Sequence, residues 1–392
     1  MLVVDVAQCR GSAFEVGTQN ADAFLATPRG KAYLRRKKTP PHLSFSFADA
    51  ERAFGLYAPN LWAELQGMAA RLALPLVEVV RDFGNFTLRY PRTGCSAVFS
   101  GGLYARNYDF KARDYEPCFA AVQSEGSYAS FGFSQFRIGR ADGMNEKGLA
   151  CGLHLVSFRF PGPGFLASLI VRMVLDRCAS TEEAIDLLHK VPHGFCYNFS
   201  LLDSEGDGAV VEASPRNIAV RRGGDLACTN HFQSRLMKPL NPKHVGHSQG
   251  RLPALEAWAA SEPVQADLFK PKDDERLFRL LNKSDSPAFH HGYTSGAGTL
   301  HTIVCSPKDR TILVGIGGDS EAVRFDLNTW SRGENLSIRS LKGQLGGTKH
   351  PYDPKSRASW SCRESCGNSL ASRSEQLKVC FFRLRGQEAS AR

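Results

Sequence analysis

Helix-like and strand-like stretches are segregated in this chain, and the change of texture falls at Gly94. Residues 1–94 read as mostly helical after a first strand. A helix-favouring stretch dense in Ala and Leu starts at Ala48-Asp49-Ala50-Glu51 and runs through Leu61-Trp62-Ala63-Glu64-Leu65 to Leu72. Ser44 or Ser46 is placed to cap it, and Pro75 ahead of Leu76-Val77-Glu78-Val79-Val80-Arg81 suits the first turn of another helix. After Gly94, short runs at 96–99, 102–107, 119–123 and 129–133 are separated by Gly, Ser and charged turns, as antiparallel strands are. A helical interlude over 165–175 and a capping signal at Thr181-Glu182-Glu183-Ala184 follow. Then come strands at 197–203, 209–213 and 218–221, a helical stretch over 250–282, and a hairpin pairing 300–306 with 311–315. Strict alternation of strand and helix would build a doubly wound parallel sheet. Separate runs of each predict an α+β fold with antiparallel sheets.

A chain of 392 residues can bury a sizeable core without disulfides or metal. With 42 % hydrophobic and 22 % charged residues, its bulk is neither disordered nor fibrous. It has no apolar run long enough for a spanning helix and no basic-then-apolar start of a secretory signal. Eleven scattered cysteines, an odd number without an export signal, predict reduced thiols and a cytoplasmic protein rather than a disulfide framework. The net charge of +10 suggests a nucleic-acid or membrane partner until its position is examined. Residues 335–392 hold eleven Lys/Arg and four Asp/Glu, so +7 lies there and the first 334 residues carry only +3. The expected organisation is a helical segment 1–94, a core 95–334 and a basic, mostly disordered tail 335–392. Neither nucleic acid nor membrane is expected as the core's partner.

Three segments could carry chemistry. In the first, Gly94-Cys95-Ser96-Ala97 begins a strand that a Gly-containing turn returns through Arg106-Asn107-Tyr108-Asp109. A guanidinium beside a thiol favours the thiolate. Arg106 and Asp109 are three apart on a strand, so they point to opposite faces unless a bulge intervenes, and an ordinary surface pair is the alternative. The second segment is Asp142-Gly143-Met144-Asn145-Glu146-Lys147-Gly148, ending in Cys151-Gly152-Leu153-His154. The third is Cys228-Thr229-Asn230-His231, where Asn230 could also be a plain Asx-turn residue. A Cys/His dyad through His231 finds no nucleophile helix around Cys95. Neither His244 with His247 nor Cys362 with Cys366 has a second pair to complete a metal site.

These segments, with Gly11-Ser12-Ala13-Phe14-Glu15-Val16-Gly17 near the start, resemble in order the N-terminal nucleophile (Ntn) hydrolases of the choloylglycine hydrolase and penicillin acyltransferase superfamily. The internal Gly-Cys junction is most similar to the isopenicillin N acyltransferase branch, and the resemblance covers roughly residues 8–330. It implies a four-layer αββα sandwich, made as one precursor and self-cleaved between Gly94 and Cys95, whose two chains stay associated. Cys95 matches the nucleophile, Arg106 and Asp109 its basic and acidic partners, and Asn230 the oxyanion-hole asparagine. His154 falls where the family supplies a backbone N–H, and either Arg235 or Arg251 would be the later arginine. The implied reaction is hydrolysis of a linear amide C–N bond through a Cys95 thioester, without metal or cofactor. The alternative is N-acyl transfer with acyl-CoA as co-substrate. From a different class, an inactive binding protein with a basic tail also fits.

Overall fold

The computed structural model describes residues 1–35, 46–86, 94–158, 161–245, 247–260, 273–294 and 296–348. Strand β1 (Leu2–Gly11) leads into five helices: α1 (Ala13–Ala26), α2 (Pro28–Arg35), α3 (Phe47–Tyr57), α4 (Pro59–Leu72) and α5 (Leu76–Phe83). The single helical run expected through Leu72 is two helices, because Pro59 cannot extend α3 and instead opens α4. Ser46 is the cap, its hydroxyl accepting from the Asp49 N–H at 3.2 Å, while Ser44 lies outside the described residues. Pro75 stands directly before α5.

Beyond Gly94 come β2 (Gly94–Ser100), β3 (Leu103–Phe110), β4 (Cys118–Ser124), β5 (Ser130–Gln135), β6 (Gly139–Asn145) and β7 (Ala150–Ser157). Helices α6 (Ala167–Arg177) and α7 (Thr181–Lys190) separate these from β8 (Cys196–Leu202), β9 (Gly208–Ala213), β10 (Ile218–Arg222) and β11 (Ala227–Cys228). The expected helical stretch over 250–282 contains α8 (Ser248–Ala259) and α9 (Asp273–Asn282), with 261–272 outside the described residues. The chain then forms β12 (Gly298–Ser306), β13 (Thr311–Ile316), β14 (Val323–Asp326), α10 (Leu327–Ser331) and β15 (Ser340–Gly343).

Among the described residues the strands make a nine-stranded sheet, β10-β9-β8-β7-β6-β5-β4-β1-β15, and a six-stranded sheet, β11-β2-β3-β12-β13-β14. Every pairing is antiparallel except β1 with β4, which is parallel. Helices α1, α6 and α7 pack on the larger sheet, with α4 against α1. Helices α8 and α9 cover the smaller sheet, and β2 faces β7 between the sheets. The layers therefore run α-β-β-α, the α+β architecture expected. Because β1 is built into the larger sheet, the described residues before Gly94 share its core rather than forming a body of their own.

The disorder expected from residue 335 does not hold for residues 335–348. Leu341 and Leu345 are buried, Leu336 and Ile338 pack on the core, and β15 pairs with β1. Arg10 donates to the Asn335 side chain at 2.7 Å. Apolar side chains spaced through basic sequence suffice for an edge strand, and average composition hides them. Residues 349–392, which hold Cys362, Cys366 and Cys380, lie outside the described residues. The other eight cysteines are all buried thiols. No helix among the described residues is long and apolar enough to cross a membrane.

Burial has a consequence for acid stability. His193 is buried with Nε2 2.8 Å from the Leu188 carbonyl, and desolvation pushes its imidazole down to about 4. The unfolded chain protonates this group near pH 6.5 and the fold does so only near 4. Its contribution is thus complete above about pH 6.5 and falls by about 3 kcal/mol as the pH drops to about 4. Urea unfolding at pH 7 and at pH 4.5 checks this, with His193→Gln flattening the difference between the two.

Candidate active site

The register of the smaller sheet organises the site. Cys95 lies opposite Tyr108 and Ala97 opposite Arg106, so these four share the face turned toward β7. Gly94 lies opposite Asp109 on the other face, with Asn107, whose Nδ2 reaches the Leu281 carbonyl of α9 at 2.9 Å. Arg106 and Asp109 do point to opposite faces, as their spacing requires. Yet both are fully buried, which excludes an ordinary surface pair, and both converge on the Gly94–Cys95 peptide. Arg106 Nη2 donates to Cys95 Sγ at 3.1 Å and to the Leu153 carbonyl at 2.6 Å, and Nη1 pairs with Asp142. Asp109 lies against Gly94 so closely that a Cβ there would stand 2.8 Å from Oδ2. A side chain at 94 would have to displace the Asp109 carboxylate. Asp109 is held in turn by Thr299 Oγ1 at 2.7 Å and Arg251 Nη1 at 3.3 Å.

Asn230 follows β11, beside β2. Its Oδ1 accepts from the Cys95 N–H at 2.7 Å and from Arg251 Nη2 at 3.0 Å. Two donors on one atom fix which way the amide points. Its Nδ2 donates to the Leu155 carbonyl at 3.0 Å, and its own N–H donates to Ser248 Oγ at 2.8 Å. These contacts, spanning β2, β7 and α8, are more than an Asx turn makes. Arg251 also reaches the Cys95 carbonyl at 3.1 Å. Of the two later arginines considered, Arg251 is therefore the one at the cysteine, and Arg235 is exposed.

His231 faces Ser248, its Nδ1 2.8 Å from Oγ, so no Cys/His dyad forms. His154 is fully buried, and its Nε2 lies 2.9 Å from Ser200 Oγ. Burial, reinforced by Arg106 and Arg251, holds this imidazole well below its ordinary range, so it is neutral. The backbone groups β7 gives to these side chains are acceptors, the Leu153 and Leu155 carbonyls.

Burial pushes the thiols of Cys178 and Cys228 up to about 12, whereas Cys95 has a guanidinium on its sulfur. Burial works against the Arg106 cation, but Cys95 and Asp142 outweigh it and keep Arg106 charged. A cleft of about 380 Å³ opens at Gly94 and is lined by Asn230, Arg251, Lys111, His247 and His290 among others. The His247 and His290 rings lie 5.2 Å apart, and no group of three metal-ligating side chains occurs among the described residues.

The sequence points to Asp142 only as the first residue of the second segment, without a role, and does not single out Ser248, Thr299 or His301. These four come from three separate elements, β6, α8 and β12, which only the tertiary fold brings to Arg106, Asn230 and Asp109.

The family model for acyl-coenzyme A:6-aminopenicillanic acid acyl-transferase matches residues 98–321. A sequence search among curated proteins finds no match. Among solved structures, the chain is similar to penicillin V acylase from Agrobacterium tumefaciens at 18 % identity and a TM-score of 0.36, covering 60 % of this chain and 86 % of that one. Conjugated bile acid hydrolase from Clostridium perfringens matches at 16 % identity and a TM-score of 0.40, over 63 % and 94 %. The N-acylethanolamine-hydrolyzing acid amidase ortholog of Caenorhabditis elegans matches at 14 % identity and a TM-score of 0.31, over 55 % and 93 %.

Proposed function

The chain belongs to the acyl-coenzyme A:6-aminopenicillanic acid acyl-transferase family of amide-acting Ntn enzymes, and from that premise we propose that it is a self-cleaving cysteine amidohydrolase with Cys95 as nucleophile. The observation that carries this reading is the set of contacts on one peptide unit. Arg106 is on the Cys95 sulfur, Asn230 on its N–H, and Asp109 against Gly94.

In the precursor, Sγ attacks the Gly94 carbonyl carbon. The Gly94–Cys95 C–N bond breaks, the departing nitrogen takes a proton, and water opens the resulting thioester. One chain then ends at Gly94 and the other begins at Cys95. The new α-amino group of Cys95 has an ordinary pKa of about 7.7–8.0, suited to act as base at neutral pH. Asn230 Oδ1, which accepts the Cys95 N–H in the uncut chain, remains beside that amine, with Asp109 close by. Arg106 favours the thiolate. The second N–H of Asn230 Nδ2 and a backbone N–H near His154 are the donors proposed for the tetrahedral oxyanion, each worth about 3–4 kcal/mol in such sites. The acyl group then passes from a linear amide to Cys95 and on to water.

A second acceptor, an amine acylated from acyl-CoA, is favoured by the description of the family itself. Comparing free-acid release with acyl-amine formation from one activated donor separates the two. The central test is intact mass under denaturing conditions. Wild-type protein is expected as two chains and Cys95→Ala as one uncut chain without activity. Uncut wild type indistinguishable from Cys95→Ala would overturn the reading.

A further inference from the structure

Arg106 does not stand alone on the sulfur. The Asp142 carboxylate, from β6 in the facing sheet, pairs with its other Nη, and both groups are fully buried. The same carboxylate oxygen lies 3.0 Å from His301 Nε2 on β12, and His301 Nδ1 lies 2.9 Å from the Tyr115 hydroxyl. Hydrogen accounting fixes the direction of this chain. An ionised carboxylate only accepts, so Nε2 carries the proton and Nδ1 accepts from Tyr115. The His301 ring is clamped between Phe133, at 3.6 Å and 7°, and Tyr108, at 5.1 Å and 17°. Tyr108 is the cross-strand neighbour of Cys95. Gly152 gives Arg106 its passage over β7, since a Cβ there would fall 2.7 Å from Arg106 Cδ.

The charges follow from the same contacts. Burial pushes the Asp142 carboxyl up, but His301 and Arg106 outweigh it and hold it below the usual carboxylate range. Burial also keeps His301 low, against the pull of Asp142. The chain from Tyr115 to Arg106 thus holds one positive and one negative charge, and the cation is counterbalanced where it meets the thiol.

The geometry points to Asp142 and His301 as positioning residues for Arg106, which aim one Nη at Cys95 Sγ and limit how much positive charge the sulfur feels. This rests on Cys95 being the nucleophile. A merely structural pair would change stability alone. A positioning pair moves two readouts in opposite directions. Without the Asp142 charge the unopposed guanidinium favours the thiolate, while the loosened guanidinium serves the reaction less well.

The test uses the full chain labelled with [13Cβ]cysteine, the Cys95 signal being assigned by difference with Cys95→Ser. Asp142→Asn is expected to move the Cys95 titration to lower pH by about one unit or more, while slowing cleavage after cell-free translation by about tenfold or more. His301→Gln keeps an N–H donor for Asp142 and should cleave within about threefold of wild type, whereas His301→Leu slows about tenfold or more. An unmoved titration with wild-type cleavage in Asp142→Asn overturns the proposal. If Asp142→Asn does not fold, equal impairment of the two His301 variants overturns it and rescue by Gln supports it. Because the titration needs no cleavage, failure here is distinct from failure of the nucleophile assignment, which uncut wild type would reveal.

Discussion

Arg106→Met is expected to slow cleavage before Cys95 by about a thousandfold or more. A contacting cation shifts a thiol by about one to three pH units, and loss of geometry at a reacting atom adds about a hundredfold. Arg106→Lys should recover only a small part. The guanidinium meets Cys95 Sγ, the Leu153 carbonyl and Asp142 together through its fixed fork, and one ammonium on a flexible stem cannot hold all three in that geometry. Arg106→Met also strips a buried carboxylate of its ion-pair partner, a change that costs about 3–5 kcal/mol in comparable pairs. A far-ultraviolet dichroism spectrum and a melting curve are therefore taken alongside the mass time course. Folded Arg106→Met that cleaves at the wild-type rate would remove Arg106 from the chemistry.

The residues of this site differ in how far the sequence exposes them, for physical reasons. Cys95, Arg106 and Asp109 sit on one hairpin, so pairing of adjacent strands brings them together and local order reveals it. Their i, i+3 spacing looked like an objection until the register placed Gly94 against Asp109 on one face and Cys95 beside Arg106 on the other. The α+β class was legible from segregated runs because helices and strands carry different apolar periods. The parallel β1–β4 pair was not, since nothing local in either strand states its distant partner. Arg251 was one of two candidates because its position depends on where α8 docks, a tertiary fact. Asp142 and His301 are 159 residues apart and meet only because two sheets stack face to face. The ordered stretch 335–348 was masked by a basic composition in which four apolar side chains suffice to pack.

The largest expected loss of stability comes from Arg172 on α6. It donates to Asp176 at 2.7 Å and to the Ile138 carbonyl at 3.2 Å, and it pairs with Glu64 on α4, every charged partner being buried. Arg172→Met leaves two carboxylates in the core without their cation, and breaking such a pair costs about 3–5 kcal/mol. That is a large share of the about 5–15 kcal/mol that holds a typical fold. The measurement is urea unfolding in the uncut Cys95→Ala background, where the fold remains one chain. The double variant Glu64→Gln with Arg172→Met should recover part of the loss, because one of the two abandoned charges is gone. In protein cut before Cys95 the same contact acquires a second meaning, since Glu64 then belongs to the chain ending at Gly94 and Arg172 to the other. Wild-type chains are expected to co-elute in native gel filtration, held by this ion pair and by β1 within the sheet. Arg172→Met should release the chain ending at Gly94 at urea concentrations where the wild type stays whole. Equal retention of that chain in both proteins would show that the Glu64–Arg172 pair is not what holds the two together.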